Sequence, residues 1–74
     1  MSVWTDISGY ENLLIYAKTF GIPRLERAKV IDEVLESMGL KDVKNDLVKT
    51  YSGGIIRRLE IACAMLIKPK IGKG

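Results

Sequence analysis

Residues 51–67 read YSGGIIRRLEIACAMLI, and this stretch decides how the chain folds. After Gly53 and Gly54 the run contains no proline or glycine as far as Ile67, so nothing in it interrupts a helix. Apolar residues recur at helical spacing along one side, namely Ile55, Leu59, Ala62, Cys63 and Leu66. Others cover much of the remaining surface, namely Ile56, Ala64, Met65 and Ile67. A helix that is apolar nearly all round is normally buried, so we expect it to need neighbours beyond those that 74 residues supply.

Two further helices are predicted upstream of this run. Ser8 and Glu11 have the spacing of a capping box, which predicts a helix over residues 9–20. The Gly-Ile-Pro sequence of residues 21–23 ends it, and the second helix starts near Arg24, because proline favours a helix start. Gly39 lies where a left-handed residue commonly ends a helix.

The segment between the second helix and the Ser-Gly-Gly sequence is short and polar. We predict one helical turn plus a loop over residues 40–49, anchored by four apolar side chains, Leu40, Val43, Leu47 and Val48. Residues 1–7 have no periodic pattern and are expected to be an irregular lead-in. No alternation typical of a strand competes with the helical spacing. The predicted fold class is therefore all-α, a small bundle of three to four helices.

Composition and charge limit the classes of protein to consider. With 47% apolar and 28% charged residues, the chain is globular rather than disordered. The longest apolar run, residues 61–67, is far shorter than the roughly 20 residues that cross a bilayer. Residues 49–74 carry six basic side chains and one acidic side chain, which leaves open a basic surface for phosphate, nucleic acid or protein. A solvated basic face is an equally good interpretation.

The Ser-Gly-Gly sequence before the last helix is the feature most closely tied to chemistry. The first amides of a helix lack internal partners, and the helix dipole adds partial positive charge there. Gly53 and Gly54 carry no side chains, so an anion such as phosphate can approach the backbone, and the Ser52 hydroxyl adds a ligand. An ordinary helix cap uses the same residues. Spacing alone leaves both interpretations open.

Residues 51–62 resemble the signature motif of ATP-binding cassette (ABC) ATPases, usually Leu-Ser-Gly-Gly-Gln followed by two variable residues, an arginine and an apolar helix. Three flanking segments resemble the same family. Residues 9–13 are similar to the Glu-Asn-Leu opening of its helical subdomain, and residues 33–40 to the helix that ends in Gly-Leu. Residues 64–70 are similar to the segment that leads into the Walker B strand. The resemblance extends over residues 6–71.

The resemblance implies a site that is shared between two cassettes. In that family the signature loop of one cassette covers the γ-phosphate of ATP held by the other. By position, Ser52 would donate its hydroxyl to that phosphate, and Gly53 and Gly54 would offer backbone amides. Tyr51, Ile55 and Arg58 would support the loop. The resemblance also implies a transmembrane permease subunit as partner, and a cytoplasmic location at the inner face of the membrane through that subunit.

The sequence departs from the family pattern at two positions of the motif and lacks the hydrolytic motifs. Tyr51 replaces the usual leucine, and Ile55 replaces the usual glutamine, so the residue 55 side chain cannot donate a hydrogen bond to nucleotide. Gly72-Lys73 does not complete a Walker A loop, and no acidic Walker B strand end follows Pro69. We therefore expect residues 1–74 to be a helical subdomain that does not hydrolyse ATP alone, with ATP and Mg²⁺ bound only in the full-length dimer.

No other set of residues forms a recognisable catalytic site. The chain has no histidine and one cysteine, which excludes His-containing zinc sites and Cys–His or Ser–His dyads. Asp32, Glu33 and Glu36 are interpreted as a solvated helix face, and Cys63 as a packed core thiol. The alternative function is a small basic helical module that binds nucleic acid or protein, although nucleic acid is the less expected partner under the cassette interpretation.

Overall fold

A computed structural model describes residues 1–67 of the chain. It contains three α-helices, α1 (Gly9–Thr19), α2 (Arg24–Ser37) and α3 (Gly53–Met65), and two 3-10 turns, Lys41–Val43 and Val48–Thr50. In the described part of the chain the only β pairing is an isolated antiparallel bridge between Ser8 and Leu47. The predicted all-α bundle is confirmed.

Helix α1 begins where the capping box predicts. The Ser8 hydroxyl accepts a hydrogen bond from the Glu11 amide at 3.0 Å, and the Glu11 carboxylate accepts one from the Ser8 amide at 2.9 Å. Both bonds occupy amides that a helix start leaves without partners. The helix ends at Thr19, one residue earlier than predicted, and Gly21 follows with a φ of 77°.

The irregular lead-in is fixed to α1 by one buried amide side chain. Asn12 is fully buried, and its carboxamide oxygen accepts a hydrogen bond from the Trp4 amide at 2.7 Å. Its nitrogen donates to the carbonyls of Trp4 and Ser8, each at 2.9 Å. A buried amide with these partners satisfied fixes the chain path from residue 4 to residue 8. The amides of Val48 and Lys49 then donate to carbonyls of this lead-in, at Ile7 and Thr5.

Helix α2 has the bounds and the cap that the sequence predicts. It starts at Arg24, directly after Pro23, and ends at Ser37. Gly39 has a φ of 68°, the left-handed conformation expected for a residue that ends a helix. Its buried stripe is Ile31, Val34 and Leu35.

Residues 40–50 form two 3-10 turns rather than the one turn and loop predicted. Leu40 and Val48 are buried and Val43 is half-buried, as expected, but Leu47 is 41% exposed, so the prediction that it anchors the core is wrong. The backbone of Leu47 is extended and pairs with Ser8. Successive side chains of an extended segment point in opposite directions, and Val48 takes the core position.

Helix α3 packs on the core with one face only. Leu59, Ala62 and Cys63 are fully buried and Leu66 nearly so, in one cluster with side chains of α1 and α2. On the other face Ile61, Met65 and Ile67 are 43%, 38% and 45% exposed. The described residues therefore do not cover this apolar face, as its composition predicts. None of the described helices is long and apolar enough to cross a membrane.

Candidate functional site

The Ser-Gly-Gly sequence forms the beginning of α3, and Ser52 is its N-cap. The Ser52 hydroxyl oxygen accepts a hydrogen bond from the Ile55 amide at 3.2 Å, and its carbonyl accepts one from the Ile56 amide at 2.9 Å. The side chain of Ser52 is exposed. A serine hydroxyl that accepts one bond still has its proton to donate, so Ser52 can cap the helix and bind an external acceptor at once.

Gly53 and Gly54 are the first two residues of α3, and both are exposed. Among residues 1–67 only Gly21 and Gly39 have a positive φ, so the backbone at Gly53 and Gly54 is open to any residue. A Cβ built at either position meets no atom of the described residues within 4 Å. Neither conformation nor packing within residues 1–67 therefore requires these glycines.

Ile55 faces inward where the family pattern has glutamine. Its side chain is half-buried and packs against the core, and its amide is bonded to the Ser52 hydroxyl. The residue thus joins the start of α3 to the interior. Its role as a support of the loop remains a prediction.

Tyr51 connects the loop to two distant segments. Its half-buried hydroxyl donates to the Val43 carbonyl at 2.5 Å and lies against the backbone of Gly9. Burial raises the pKa of Tyr51 above its ordinary value. A hydrogen bond with the Gly9 backbone lowers the pKa, and the nearby charge of Asp46 raises it further. The signature pattern places Tyr51 in the supporting loop but does not predict these contacts. The signal for them is a tyrosine where the family usually has an apolar leucine, since a half-buried hydroxyl requires a partner.

Arg57 and Arg58 extend from α3 into solvent. A Cβ built at Gly39 would lie 3.6 Å from a terminal nitrogen of Arg58, so this guanidinium lies beside the C-terminal end of α2. A cation is favoured there by the helix dipole. Arg57 lines a shallow cavity of about 280 Å³ together with Met1, Glu60, Ile61 and Ala64. Both arginines add positive charge to the first turns of α3.

The remaining titratable groups do not assemble a second site. Asp32 pairs with Lys41 at 3.2 Å, and Glu33 and Glu36 are exposed, as a solvated helix face predicts. Within residues 1–67 no three His, Cys, Asp or Glu side chains are close enough to hold a metal ion. Cys63 is a buried free thiol, and burial raises its pKa to about 12. The exposed start of α3 is the candidate site.

The family model described as "ABC transporter" matches residues 1–72 of the chain. The chain belongs to the ABC transporter family. It is 39% identical over 69 residues to "ABC transporter A family member 1" of Dictyostelium discoideum, a match that covers 93% of this chain and 8% of that protein. It is 34% identical over 71 residues to "Linearmycin resistance ATP-binding protein LnrL" of Bacillus subtilis (strain 168), covering 96% of this chain and 23% of that protein.

A third relative also matches most of this chain and only a small part of its own length. "Doxorubicin resistance ATP-binding protein DrrA" of Mycobacterium tuberculosis is 34% identical over 65 residues, which are 88% of this chain and 20% of the relative. The chain thus spans less than a quarter of the length of each of these ABC relatives. The resemblance that the signature sequence indicates is confirmed at the level of the family.

Proposed function

We propose that residues 1–74 are the helical subdomain of an ABC ATPase and that their signature loop, residues 51–54, completes the ATP site of a partner cassette. Ser52 donates its hydroxyl to the γ-phosphate, and Gly53 and Gly54 offer their amides. Tyr51, Ile55 and Arg58 hold the loop in place. Family membership supports the ATP-binding context, and the geometry at the start of α3 supports the assignment of these residues.

The observation that carries this proposal is that nothing within residues 1–67 requires glycine at positions 53 and 54. Where the backbone suits alanine, glycine lowers stability by about 0.4–1 kcal/mol relative to alanine, chiefly because it adds entropy to the unfolded chain. Neither glycine has a positive φ, and a Cβ at either position meets no described atom. Within residues 1–67 neither backbone conformation nor packing requires this cost at two successive positions. Close approach of an external group to the backbone is the remaining use, and a helix start favours an anion.

Hydrolysis belongs to the assembled ATPase. Phosphoryl transfer requires a nucleotide cradle, a metal ion and a positioned water. In the full-length dimer, ATP and its Mg²⁺ would be held by the partner's Walker motifs. The signature loop then adds neutral donors and a helix dipole to the phosphate.

The proposed partners are a second cassette and a transmembrane permease subunit, at the inner face of the membrane. The lead-in, the residue that follows α1 and the start of α2 expose apolar side chains that suit a protein contact. Trp4 and Phe20 are 48% and 39% exposed on either side of Tyr16, and Leu25 is 94% exposed. We propose that closure of the loop over ATP is relayed to the permease through the helical subdomain.

Substitution of Ser52 in the complete ATPase tests the proposal. Ser52→Ala should lower ATP turnover about tenfold or more, because a hydrogen bond to a charged group contributes roughly 1.5–3 kcal/mol. Ser52→Thr keeps the hydroxyl and should retain most of the turnover. Ser52→Gly is the matched control for stability, since glycine caps a helix almost as well as serine. Equal loss in the alanine and glycine variants would assign the effect to the hydroxyl.

Two results would oppose the proposal. Wild-type turnover in Ser52→Ala, with the cassette folded and assembled, contradicts the role of the hydroxyl. Binding of the 74-residue chain to DNA or RNA that weakens steeply with salt, measured by fluorescence anisotropy, favours the basic nucleic-acid module instead.

A further inference from the structure

We propose that Tyr51 is a positioning residue whose hydroxyl fastens the signature loop to Gly9 at the start of α1 and to the carbonyl of Val43. This inference rests on the proposed function of the loop. It assigns to the tyrosine a task that the leucine usual at this position cannot perform, because leucine has no polar atom.

The tyrosine is held at both of its ends. Its amide donates to the Val48 carbonyl at 2.9 Å, and its hydroxyl donates to the Val43 carbonyl at 2.5 Å. The backbone of Tyr51 is extended, and Ser52 follows it directly. Both bonds lead back to residues 41–50, so Tyr51 joins the start of α3 to the two 3-10 turns.

Gly9 makes room for the hydroxyl. A Cβ built at Gly9 collides with the Tyr51 hydroxyl, and its next nearest atom is the Tyr51 Cζ at 3.4 Å. Gly9 is buried, and its φ is not among the positive values of residues 1–67. Backbone conformation therefore does not explain this glycine, whereas the tyrosine hydroxyl does. Gly9 and Tyr51 are a complementary pair at positions far apart in the sequence.

The three residues proposed to contact phosphate make few contacts with the rest of the domain. Ser52, Gly53 and Gly54 are exposed, and the Ser52 side chain makes its hydrogen bond within its own helix. Their position relative to the rest of the domain is set on one side by α3 and on the other by Tyr51. A catalytic group that is misplaced by about 1 Å loses much of its effect, so fastening Tyr51 places the Ser52 hydroxyl for closure over the phosphate.

Removal of the hydroxyl in the complete ATPase separates positioning from folding. Tyr51→Phe should lower kcat about threefold to tenfold, the effect of one net hydrogen bond. The KM for ATP should stay within about twofold, because the partner's Walker loop binds the nucleotide before closure. Tyr10→Phe is the matched control, since it removes a tyrosine hydroxyl from the residue that follows Gly9 in sequence and leaves the bond from Tyr51 to the Val43 carbonyl in place. Its kcat and KM should match those of the wild type.

A double-mutant cycle tests the pairing itself. Gly9→Ala should lower kcat by at least as much as Tyr51→Phe, because the new methyl group collides with the hydroxyl. Gly9→Ala/Tyr51→Phe should be no worse than Tyr51→Phe, since the collision is gone. If Gly9→Ala does not fold, the double variant should fold. A double variant that is as impaired as Gly9→Ala overturns the pairing.

The same series distinguishes this inference from the proposed function. Loss of turnover in Ser52→Ala together with wild-type kcat in Tyr51→Phe overturns the positioning role and leaves the phosphate contact intact. Wild-type turnover in Ser52→Ala overturns the proposed function. A fall in kcat for Tyr51→Phe that Tyr10→Phe reproduces equally overturns the specific role of Tyr51.

Discussion

Ser52 illustrates how one side chain serves folding and binding without conflict. Its hydroxyl oxygen accepts a hydrogen bond from the Ile55 amide, which caps α3, and this bond does not use the hydroxyl proton. The capping role follows from the serine's position before a long helix, and the structure confirms it. The proposed contact with phosphate uses the hydroxyl proton, and it remains a proposal.

Cys63 gives a prediction at the scale of one residue. Burial raises its pKa to about 12 from an ordinary 9.0, so the folded chain keeps the thiol protonated where the unfolded chain does not. The folded state thus holds its proton more tightly, and the free energy of unfolding should fall as pH rises from about 9. At pH 8 the folded chain should react with a thiol reagent much more slowly than the chain in urea.

A Cys63→Ala variant is the control for the pH effect. It should lose the part of the alkaline decrease that comes from the thiol, when unfolding is followed by urea titration at several pH values. Equal labelling rates for the folded and the urea-unfolded chain would contradict burial of Cys63.

Single residues differ in how well sequence predicts them. The Ser8–Glu11 box and the Gly39 cap act within a few residues, so their spacing is sufficient. The contact of Tyr51 with Gly9 and Val43 joins segments that are distant in sequence. No local pattern encodes such a contact, and so the motif predicts Tyr51 in the loop but not its partners. The prediction for Leu47 is wrong for a related reason, because its backbone partner in the bridge, Ser8, is also distant in sequence.

At the scale of the element, α3 has one buried and one exposed apolar face. Leu59→Ala should lower the free energy of unfolding by about 2–5 kcal/mol, because it opens a cavity in the core. Ile61→Ala should change it by about 0.5 kcal/mol or less, since Ile61 is already 43% exposed. Urea unfolding followed by circular dichroism measures both. Equal effects of the two substitutions would contradict the orientation of α3.

Elements are predicted well here because their ends carry clear signals. Proline before α2 and glycine after α1 and α2 fix three boundaries within about one residue. The segment between α2 and α3 lacks such signals, and its two 3-10 turns depend on backbone bonds to the lead-in, from Val48 to Ile7 and from Lys49 to Thr5. The sequence predicts one helical turn and a loop in this segment, and it does not predict the second turn.

At the scale of the whole molecule, size and composition predict the general properties of the domain. A chain of 74 residues has a small core, and its most apolar helix exceeds what that core can bury. As a result, the apolar side chains of Ile61, Met65 and Ile67 are left exposed. The basic residues Lys68, Lys70 and Lys73 lie outside the described residues, so half of the predicted basic surface stays a prediction.

The candidate site requires a view of the whole molecule as well. The motif predicts Ser52, Gly53 and Gly54 from sequence, but only the structure shows that neither conformation nor packing within residues 1–67 requires the two glycines. The second half of the proposed site lies on another cassette. Neither the order of residues in this chain nor its fold contains that information.

The most direct test of the central claim combines stability with turnover in Gly53→Ala. Alanine at this unstrained helix position should raise the free energy of unfolding of the 74-residue chain by about 0.4–1 kcal/mol. In the complete ATPase the same methyl group should obstruct the phosphate and lower ATP turnover about tenfold or more. A more stable domain with a less active ATPase is the result that we predict. Unchanged turnover in the stabilised variant would contradict the proposal that an external phosphate approaches this glycine.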